Sequence, residues 1–188
     1  MNPSPLLQTN RSAPVLLFAR EDKKQITVYL RNDTDFPFSG TARYLIEQTD
    51  GTRRGETAER VTAPPHSETQ LLFFDRRELR EKKELLRLLL TDEAGLEQSS
   101  AYWQSDKLRP RRLCDPKLQT TVFLRAGKVC VTVRAACFAP DVTLSCGDES
   151  FSENHFTLFA GEEKTVELQS AKADFAGTVT AHSAYDRR

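Results

Sequence analysis

The chain has 188 residues, 38% of them hydrophobic and 29% charged, which is typical of a globular protein with one medium domain or two small ones. Its 27 basic residues equal its 27 acidic residues, so it has no net field that would attract nucleic acid or an anionic membrane surface. No apolar run approaches the roughly 20 residues that a membrane-spanning helix requires.

Residues 1–12 contain two prolines and lack both the basic region and the long apolar region of a secretory signal. We interpret them as a leader or as the end of an upstream linker. The missing signal says little about the cellular compartment, because a chain that is one part of a longer protein would not carry that protein's N-terminal signal. Cytoplasmic, periplasmic and lysosomal locations therefore all stay open.

Short apolar or alternating segments, separated by turn residues, follow this leader and predict strands. The predicted strands are residues 15–19, 26–30, 42–46, 52–61, 69–74, 85–91 and 96–103. The polar segment 52–61 suits the edge of a sheet, where charged side chains discourage pairing with other molecules. About seven strands with turns at short intervals predict an immunoglobulin-like β-sandwich over residues 13–106.

Two polar segments of this half interrupt the strand pattern. Asp75 and Glu78 have the spacing of a capping box, which predicts a short helix near residues 76–84. Residues 32–35 (NDTD) offer oxygen atoms like those of a calcium site, but they lack the spaced ligands and the distal Glu of an EF-hand. We therefore interpret residues 32–35 as a turn.

Residues 107–116 hold two prolines and four basic residues without alternation, and they predict a semi-rigid linker. Nucleic-acid binding by this segment would need more flanking charge. Strand patterns resume at residues 118–124, 129–135, 142–146, 156–158, 166–168 and 177–181. They predict a second, C-terminal sandwich over residues 117–188, so the predicted fold class is all-β with two tandem immunoglobulin-like β-sandwich domains.

Residues 151–168 are the best-defined segment of the second domain. Phe156 and Leu158 lie two residues apart and face one side of an extended segment, and the alternation resumes at Val166. Gly161 supplies the reversal between them, because glycine tolerates a positive φ without steric cost. The pattern predicts a hairpin-like unit that donates its aromatic side chains to one core.

The four cysteines, Cys114, Cys130, Cys137 and Cys146, could pair in three ways. Their spacings match no CxxC zinc pattern. Cys130 and Cys146 lie in strand-like segments, where a reduced, buried thiol behaves as a small hydrophobic group. We therefore favour reduced thiols over disulfides.

The three histidines do not have the spacing of a metal site or of an acid/base cluster. His155 is out of phase with the apolar face of its segment, which predicts a ring that faces solvent. His66 follows a Pro-Pro turn and His182 lies near the C-terminus, and neither belongs to an HExxH motif. The sequence therefore predicts no metal ion and no cofactor.

Tyr102 and Trp103 are the one pair that could stack on the apolar face of a sugar ring. Adjacent residues of a strand point to opposite faces, so we expect one ring in the core and the other at an interface or in solvent. We favour a core or interdomain role over carbohydrate binding, because the chain's single Trp is expected to anchor packing.

The order of turn and core residues resembles a known family. In the C-terminal half the matching residues are Phe151, Ser152, Asn154, Phe156, Leu158, Gly161, Glu162, Ser183, Tyr185 and Asp186. In the N-terminal half they are residues 28–33, the turn at 50–51, residues 86–92, Gly95 and Tyr102. Over roughly residues 14–186 this order resembles the last two immunoglobulin-like domains of β-mannosidases of glycoside hydrolase family 2. Ala160 stands where the family usually has Pro.

The resemblance implies a parent enzyme that removes terminal, non-reducing β-D-mannose residues from oligosaccharides. In the family the catalytic carboxyl groups belong to a (β/α)8 barrel of about 250 residues, which this chain is too short to hold. No catalytic residue carries over. The chain is expected to scaffold or flank the absent barrel, which is its expected partner, with a mannose-containing oligosaccharide as a candidate ligand.

Two further expectations follow from this sequence. A free-standing immunoglobulin-like module that binds carbohydrate or protein is the alternative function, because sandwiches of this kind host many functions. If the chain is instead a fragment of the enzyme, it is expected to expose an apolar patch where the barrel would dock.

Overall fold

The computed structural model of the chain describes residues 13–22, 24–79, 83–105, 108, 112–169, 175 and 177–187. The predicted leader, residues 1–12, and residues 107 and 109–111 of the predicted linker lie outside these described residues. The chain divides into two compact units, the first made of Met1–Gln48 and Thr52–Leu108 and the second of Thr49–Gly51 and Arg109–Arg188. The domain boundaries that the sequence indicates stay predictions.

Among its described residues, the first unit has seven strands in two antiparallel sheets. They are β1 (Val15–Glu21), β2 (Gln25–Asn32), β3 (Phe38–Gln48), β4 (Arg53–Ala63), β5 (Ser67–Asp75), β6 (Glu84–Asp92) and β7 (Glu97–Gln104). One sheet has the order β1-β2-β5 and the other the order β4-β3-β6-β7. Strand β4 therefore lies at a sheet edge, as its polar sequence predicts, and most of its side chains are exposed.

The core of the first unit takes alternate residues from both sheets, since side chains of a strand point to its two faces in turn. Strand β2 supplies Ile26, Val28 and Leu30, and β6 supplies Leu86, Leu88 and Leu90. Burial of each such side chain contributes about 1.5–3 kcal/mol to the free energy of unfolding.

Tyr44 is a buried tyrosine in the core of the first unit. Its hydroxyl donates to Glu59 Oε1 at 2.6 Å. Burial, together with this hydrogen bond, raises the pKa of Tyr44 well above its ordinary value. The tyrosine therefore stays neutral and acts as a packing residue with a satisfied hydroxyl.

Residues 32–35 form the predicted turn. Asn32 is fully buried at the end of β2, and its Oδ1 accepts the backbone N–H of Thr34 at 3.0 Å. Its Nδ2 donates to the carbonyl oxygens of Phe36 and Ala63 at 2.8 and 3.2 Å. The asparagine thus pairs backbone groups that strand hydrogen bonds do not reach.

The short helix predicted near residues 76–84 is a single 3-10 turn, Arg76–Glu78. Asp75 caps it, because its Oδ1 accepts the backbone N–H of Arg77 at 2.9 Å. The turn ends at Leu79, which has extended backbone angles and lies buried in the core. Residues 80–82 lie outside the described part of the chain.

The described residues of the second unit hold six strands in two antiparallel sheets. They are β8 (Gln119–Arg125), β9 (Lys128–Arg134), β10 (Ala139–Ser145), β11 (Phe156–Leu158), β12 (Glu163–Glu167) and β13 (Thr180–His182). The sheet orders are β12-β9-β8 and β11-β10-β13. A second apolar core joins them, with Val131, Val133, Val142 and Leu144 at alternate positions of β9 and β10.

Residues 151–168 do not form the hairpin that the sequence predicts. Strand β11 pairs with β10, whereas β12 pairs with β9 in the other sheet. Phe156 still enters the core of the second unit, as predicted, and Val166 lies in the same core. The chain crosses between the sheets at Gly161, whose φ is +80° and whose N–H donates to Ala135 O at 2.8 Å. The turn is anchored to the end of β9, so β12 joins that sheet.

Strands form nearly all the regular structure of the described residues, and each unit has two sheets. This architecture confirms the predicted all-β class with tandem immunoglobulin-like β-sandwiches. No helix within the described ranges is long and apolar enough to span a membrane.

Candidate functional site

The aromatic pair of β7 is the candidate sugar contact that the sequence singles out. Trp103 is 1% exposed and belongs to the core of the first unit, while Tyr102, on the opposite face of β7, is 4% exposed. Neither ring presents a free face on which a sugar could stack. The burial of Trp103 fits the packing role, and an interdomain role for this pair stays a prediction.

Trp103 has a polar partner at the margin of the core. Its Nε1 donates to Glu21 Oε2 at 2.8 Å, and Arg76 Nη1 lies 2.6 Å from Glu21 Oε1. The Arg76 guanidinium also lies 6.0 Å from the centre of the Trp103 ring. The network satisfies the buried indole N–H, which would otherwise cost free energy, and it engages both oxygen atoms of Glu21.

Two further glutamates of the first unit have little exposure, and arginines of β4 bind both. Glu84 is fully buried, and Arg54 Nε and Nη2 donate to its Oε1 and Oε2 at 2.9 and 3.0 Å. Arg53 Nε donates to Glu47 Oε1 at 3.0 Å. The two-pronged contact of Arg54 with Glu84 offsets much of the desolvation penalty of this buried carboxylate.

These three glutamates have the surroundings of structural ion pairs and not of a catalytic site. A retaining glycosidase needs two carboxyl groups about 5–5.5 Å apart that flank the glycosidic bond. Arginine side chains bind the carboxylates of Glu21, Glu47 and Glu84, whose side chains keep 12%, 7% and 0% of their surface exposed. The sequence does not reveal the pairs made by β4, because nothing in a polar edge strand shows which of its arginines reaches a buried acid.

His66 and His155 are exposed, and each faces one aspartate. His66 Nε2 lies 2.8 Å from Asp35 Oδ1, and His155 Nδ1 lies 3.4 Å from Asp141 Oδ1. The exposure of His155 confirms the predicted orientation of its ring. Nowhere in the part of the chain that the structure describes do three or more His, Cys, Asp or Glu residues come together to hold a metal ion.

A shallow depression of about 390 Å³ lies in the first unit, between the loop before β3 and the turn after β6. Its lining residues are Pro37, Phe38, Ser39, Asp92, Glu93 and Ala94. Asp92 Oδ1 accepts the backbone N–H groups of Ala94 and Leu96, both at 2.9 Å, and its Oδ2 accepts from Gln98 Nε2. Both carboxylate oxygens of Asp92 therefore accept hydrogen bonds from the turn and from Gln98. A ligand pocket usually has several polar groups that point at the ligand, and Asp92 is used within the protein instead.

Strand β8 carries an exposed apolar stretch at a sheet edge. Among the described strands its one partner is β9, and its consecutive residues Val122, Phe123 and Leu124 are 39%, 37% and 55% exposed. We call these three residues the β8 patch. Exposed apolar residues on an edge strand favour association, and stable monomers usually cover or charge such edges.

Comparison with known proteins gives one family match and several fold matches. Residues 113–187 match the family model Ig_mannosidase, an Ig-fold domain. The β-D-mannosidase of Dictyoglomus thermophilum is similar over 91% of this chain and 22% of its own, with a TM-score of 0.67 and 17% identity. The exo-chitosanase of Amycolatopsis orientalis is similar over 92% of this chain and 26% of its own, with a TM-score of 0.66 and 16% identity. No curated protein sequence matches the chain.

These matches confirm the resemblance to the C-terminal immunoglobulin-like domains of glycoside hydrolase family 2 enzymes. At 16% and 17% identity the solved structures establish the fold alone. The chain spans about a quarter of the length of each of these two glycosidases. The likeness therefore does not establish the activity of either enzyme for this chain.

Proposed function

We propose that the chain is the non-catalytic C-terminal β-sandwich region of a β-mannosidase of glycoside hydrolase family 2. The match of residues 113–187 to the mannosidase Ig-fold model carries this proposal. The parent enzyme would hydrolyse terminal, non-reducing β-D-mannose residues. This region would act as a scaffold that flanks the catalytic barrel.

The buried acids support a role without catalysis. Glu84, the most deeply buried of them, is held by both prongs of the Arg54 guanidinium, and Glu47 is held by Arg53. A general acid must instead donate its proton to the leaving group, which requires a carboxyl that reaches the substrate. The catalytic acids of the proposed enzyme would therefore lie in another part of the polypeptide.

The β8 patch is the proposed contact with the catalytic domain of the same polypeptide. This occupant follows from chain length, since roughly three quarters of each solved relative lies outside the segment that this chain matches. Aromatic and aliphatic side chains such as Phe123 and Leu124 are typical of the buried centre of an interface. Docking would also cover the open edge of β8.

The test compares the 188-residue chain with the product of a longer reading frame that contains it. Both are assayed with p-nitrophenyl β-D-mannoside and with p-nitrophenyl β-D-glucosaminide. The first substrate matches the β-D-mannosidase, and the second matches the exo-chitosanase, which has been solved with p-nitrophenyl β-D-glucosamine. We expect the longer product to hydrolyse the mannoside and the 188-residue chain to hydrolyse neither substrate. Turnover by the 188-residue chain would contradict the non-catalytic role.

Two other outcomes have definite meanings. If the longer product prefers the glucosaminide, the scaffold role of this region still holds, but the parent enzyme is an exo-glucosaminidase and not a β-mannosidase. A reading frame without a barrel-coding stretch would contradict the proposal and favour the free-standing binding module. Isothermal titration of the chain with β-1,4-linked mannose oligosaccharides would then test that alternative.

A further inference from the structure

Two cysteines of the second unit meet although 23 positions separate them in the sequence. Cys114 precedes β8 and Cys137 follows β9, so the pair lies where the two ends of the β8–β9 hairpin come together. The backbone fixes this approach, because Ala136 N donates to Pro116 O at 2.7 Å. The Cys137 thiol lies 2.6 Å from Cys114 Sγ.

We propose that Cys114 and Cys137 are a disulfide-forming pair that fastens the two ends of the β8–β9 hairpin. The proposal departs from the sequence interpretation, which favours reduced thiols. It does not depend on the proposed glycosidase function, because it concerns only the second unit. Disulfides require Cα and Cβ atoms in close approach, and a pair of segments already joined by a backbone hydrogen bond provides it.

The other two cysteines differ from this pair. Cys130 is buried in β9, and its thiol contacts the Lys128 carbonyl oxygen at 3.9 Å. Cys146 is buried among the apolar residues of the second core. Both have the surroundings of inert structural thiols, which are reached by oxidants more slowly than exposed ones.

The accessible member of the pair is Cys114, which is only partly buried, whereas Cys137 is buried. Burial raises the pKa of the Cys137 thiol to about 12, with a further contribution from the adjacent Cys114. The Cys114 thiolate is therefore the first nucleophile, and Cys137 is the resolving thiol.

The reaction needs an oxidant, for which we name a low-molecular-weight disulfide such as oxidised glutathione. Cys114 loses its proton to solvent and attacks one sulfur of the oxidant, which forms a mixed disulfide and releases one glutathione thiolate. Cys137 then attacks Cys114 Sγ and its proton passes to the second departing glutathione. Two protein thiols are oxidised to one disulfide, and one glutathione disulfide is reduced to two thiols.

The experiment treats the reduced 188-residue chain with oxidised glutathione, blocks remaining thiols with iodoacetamide and maps the peptides by mass spectrometry. We expect the number of free thiols in the denatured protein to fall from the four of the sequence to two. The linked peptides should contain Cys114 and Cys137, and Cys130 and Cys146 should carry the alkyl group. Four remaining thiols, a glutathione adduct that never closes, or a bridge between any other pair would refute the proposal.

A thermal melt gives a second readout that peptide mapping does not. Closure of this loop should raise the melting temperature of the oxidised chain by at least about 5 °C over the reduced chain. The variant Cys114→Ser should melt alike under both conditions, whereas Cys130→Ser should retain the full oxidation-dependent shift. Equal melting of oxidised and reduced wild-type chain would contradict the fastening role. The wild-type peptide map holds even if a variant fails to fold.

Discussion

The exposure of each carboxylate determines what its arginine partner contributes. Arg54 and Glu84 form a two-pronged pair around a fully buried carboxylate, and Arg54 Nη2 also donates to Glu78 O at 2.7 Å. Arg43 Nε and Nη2 both donate to Glu56 Oε1 across β3 and β4, Arg53 Nη1 donates to Glu56 Oε2, and Glu56 keeps 35% of its side-chain surface exposed. Water can replace the arginine at Glu56 and cannot do so at Glu84.

We expect Arg54→Met to lower the free energy of unfolding by about 3–5 kcal/mol, because it removes the two-pronged arginine contact from the fully buried Glu84 carboxylate. Chemical denaturation of the 188-residue chain measures this change. Arg43→Met is the matched control, and its unfolding midpoint should stay within experimental error of the wild type. Equal effects of the two substitutions would show that burial is not the deciding factor.

Asp75 is the acid whose titration the structure specifies best. Hydrogen bonds from the Arg77 side chain, and then from the Arg77 backbone N–H, lower the pKa of Asp75 from its ordinary 3.8 to about 2. A pKa that is lower in the folded state stabilises the fold above the unfolded pKa. This contribution is lost as the pH falls from about 4 towards 2.

Arg77→Ala should therefore raise the pKa of Asp75 part of the way to its ordinary value, because the backbone hydrogen bond at 2.9 Å remains. Carboxyl-carbon NMR titration measures the shift. Asp22 serves as an internal control, since backbone N–H groups of Lys24 and Gln25 are the main cause of its lowered pKa. An unchanged Asp75 titration would disprove the assigned role of the Arg77 side chain.

At the scale of the element, close backbone approach decides where a strand can carry a side chain. Gly40 of β3 pairs with Asp92 of β6, and a Cβ atom at Gly40 would lie 2.2 Å from the carbonyl oxygen of Thr91. A Cβ atom at Gly55 of β4 would have no described atom of a non-neighbouring residue within 4 Å. The two glycines look alike in the sequence and differ because β3 is central and β4 is an edge strand.

Gly40→Ala should lower the free energy of unfolding by at least about 2 kcal/mol, because the new methyl group forces β3 and β6 apart. Gly55→Ala should change it by at most about 1 kcal/mol, in the stabilising direction, since alanine restricts the unfolded chain. Urea denaturation with a common m-value measures both changes. A tolerated alanine at position 40 would contradict the β3–β6 register.

For the whole molecule, the apolar surface that the described residues leave exposed bears on its place in a longer protein. The β8 patch has exposed apolar side chains on both faces of one edge strand, Val122 and Leu124 on one face and Phe123 on the other, whereas the exposed Phe73 and Leu96 occur singly in other strands and turns. Isolated exposed apolar residues are normal on protein surfaces, but several of them on one edge strand indicate an interface.

Leu124→Lys should leave the melting temperature of the 188-residue chain unchanged within about 2 °C, because the side chain is 55% exposed there. In the longer polypeptide the same change should lower the melting temperature and favour proteolytic release of this region, since it would bury a lysine in the proposed contact. Arg125→Lys, one position further along β8, is the control. Indifference of the longer polypeptide to Leu124→Lys would rule out the β8 patch as the contact.

Much of the fold could be predicted because its signals are local. Apolar runs and alternation placed strands at or near the described ones, and the polar composition of residues 52–61 assigned β4 to an edge. Asn32 and Asp75 identified their turns because their side chains bond to the backbone within two residues. The candidate site was less predictable, since the alternation at Trp103 does not show whether the ring meets a core or a ligand.

The sequence by itself determined the all-β class, the strand positions and the family resemblance, because these depend on residue order and two-residue periodicity. Only the tertiary structure decided that β11 and β12 join different sheets, that Arg54 reaches Glu84, that the β8 patch is exposed and that Cys114 meets Cys137. Three of these four features pair residues distant along the chain, and the fourth, the exposure of β8, depends on which strands lie beside it. Periodicity fixes the face on which a side chain lies, but the packing of sheets chooses what that face meets.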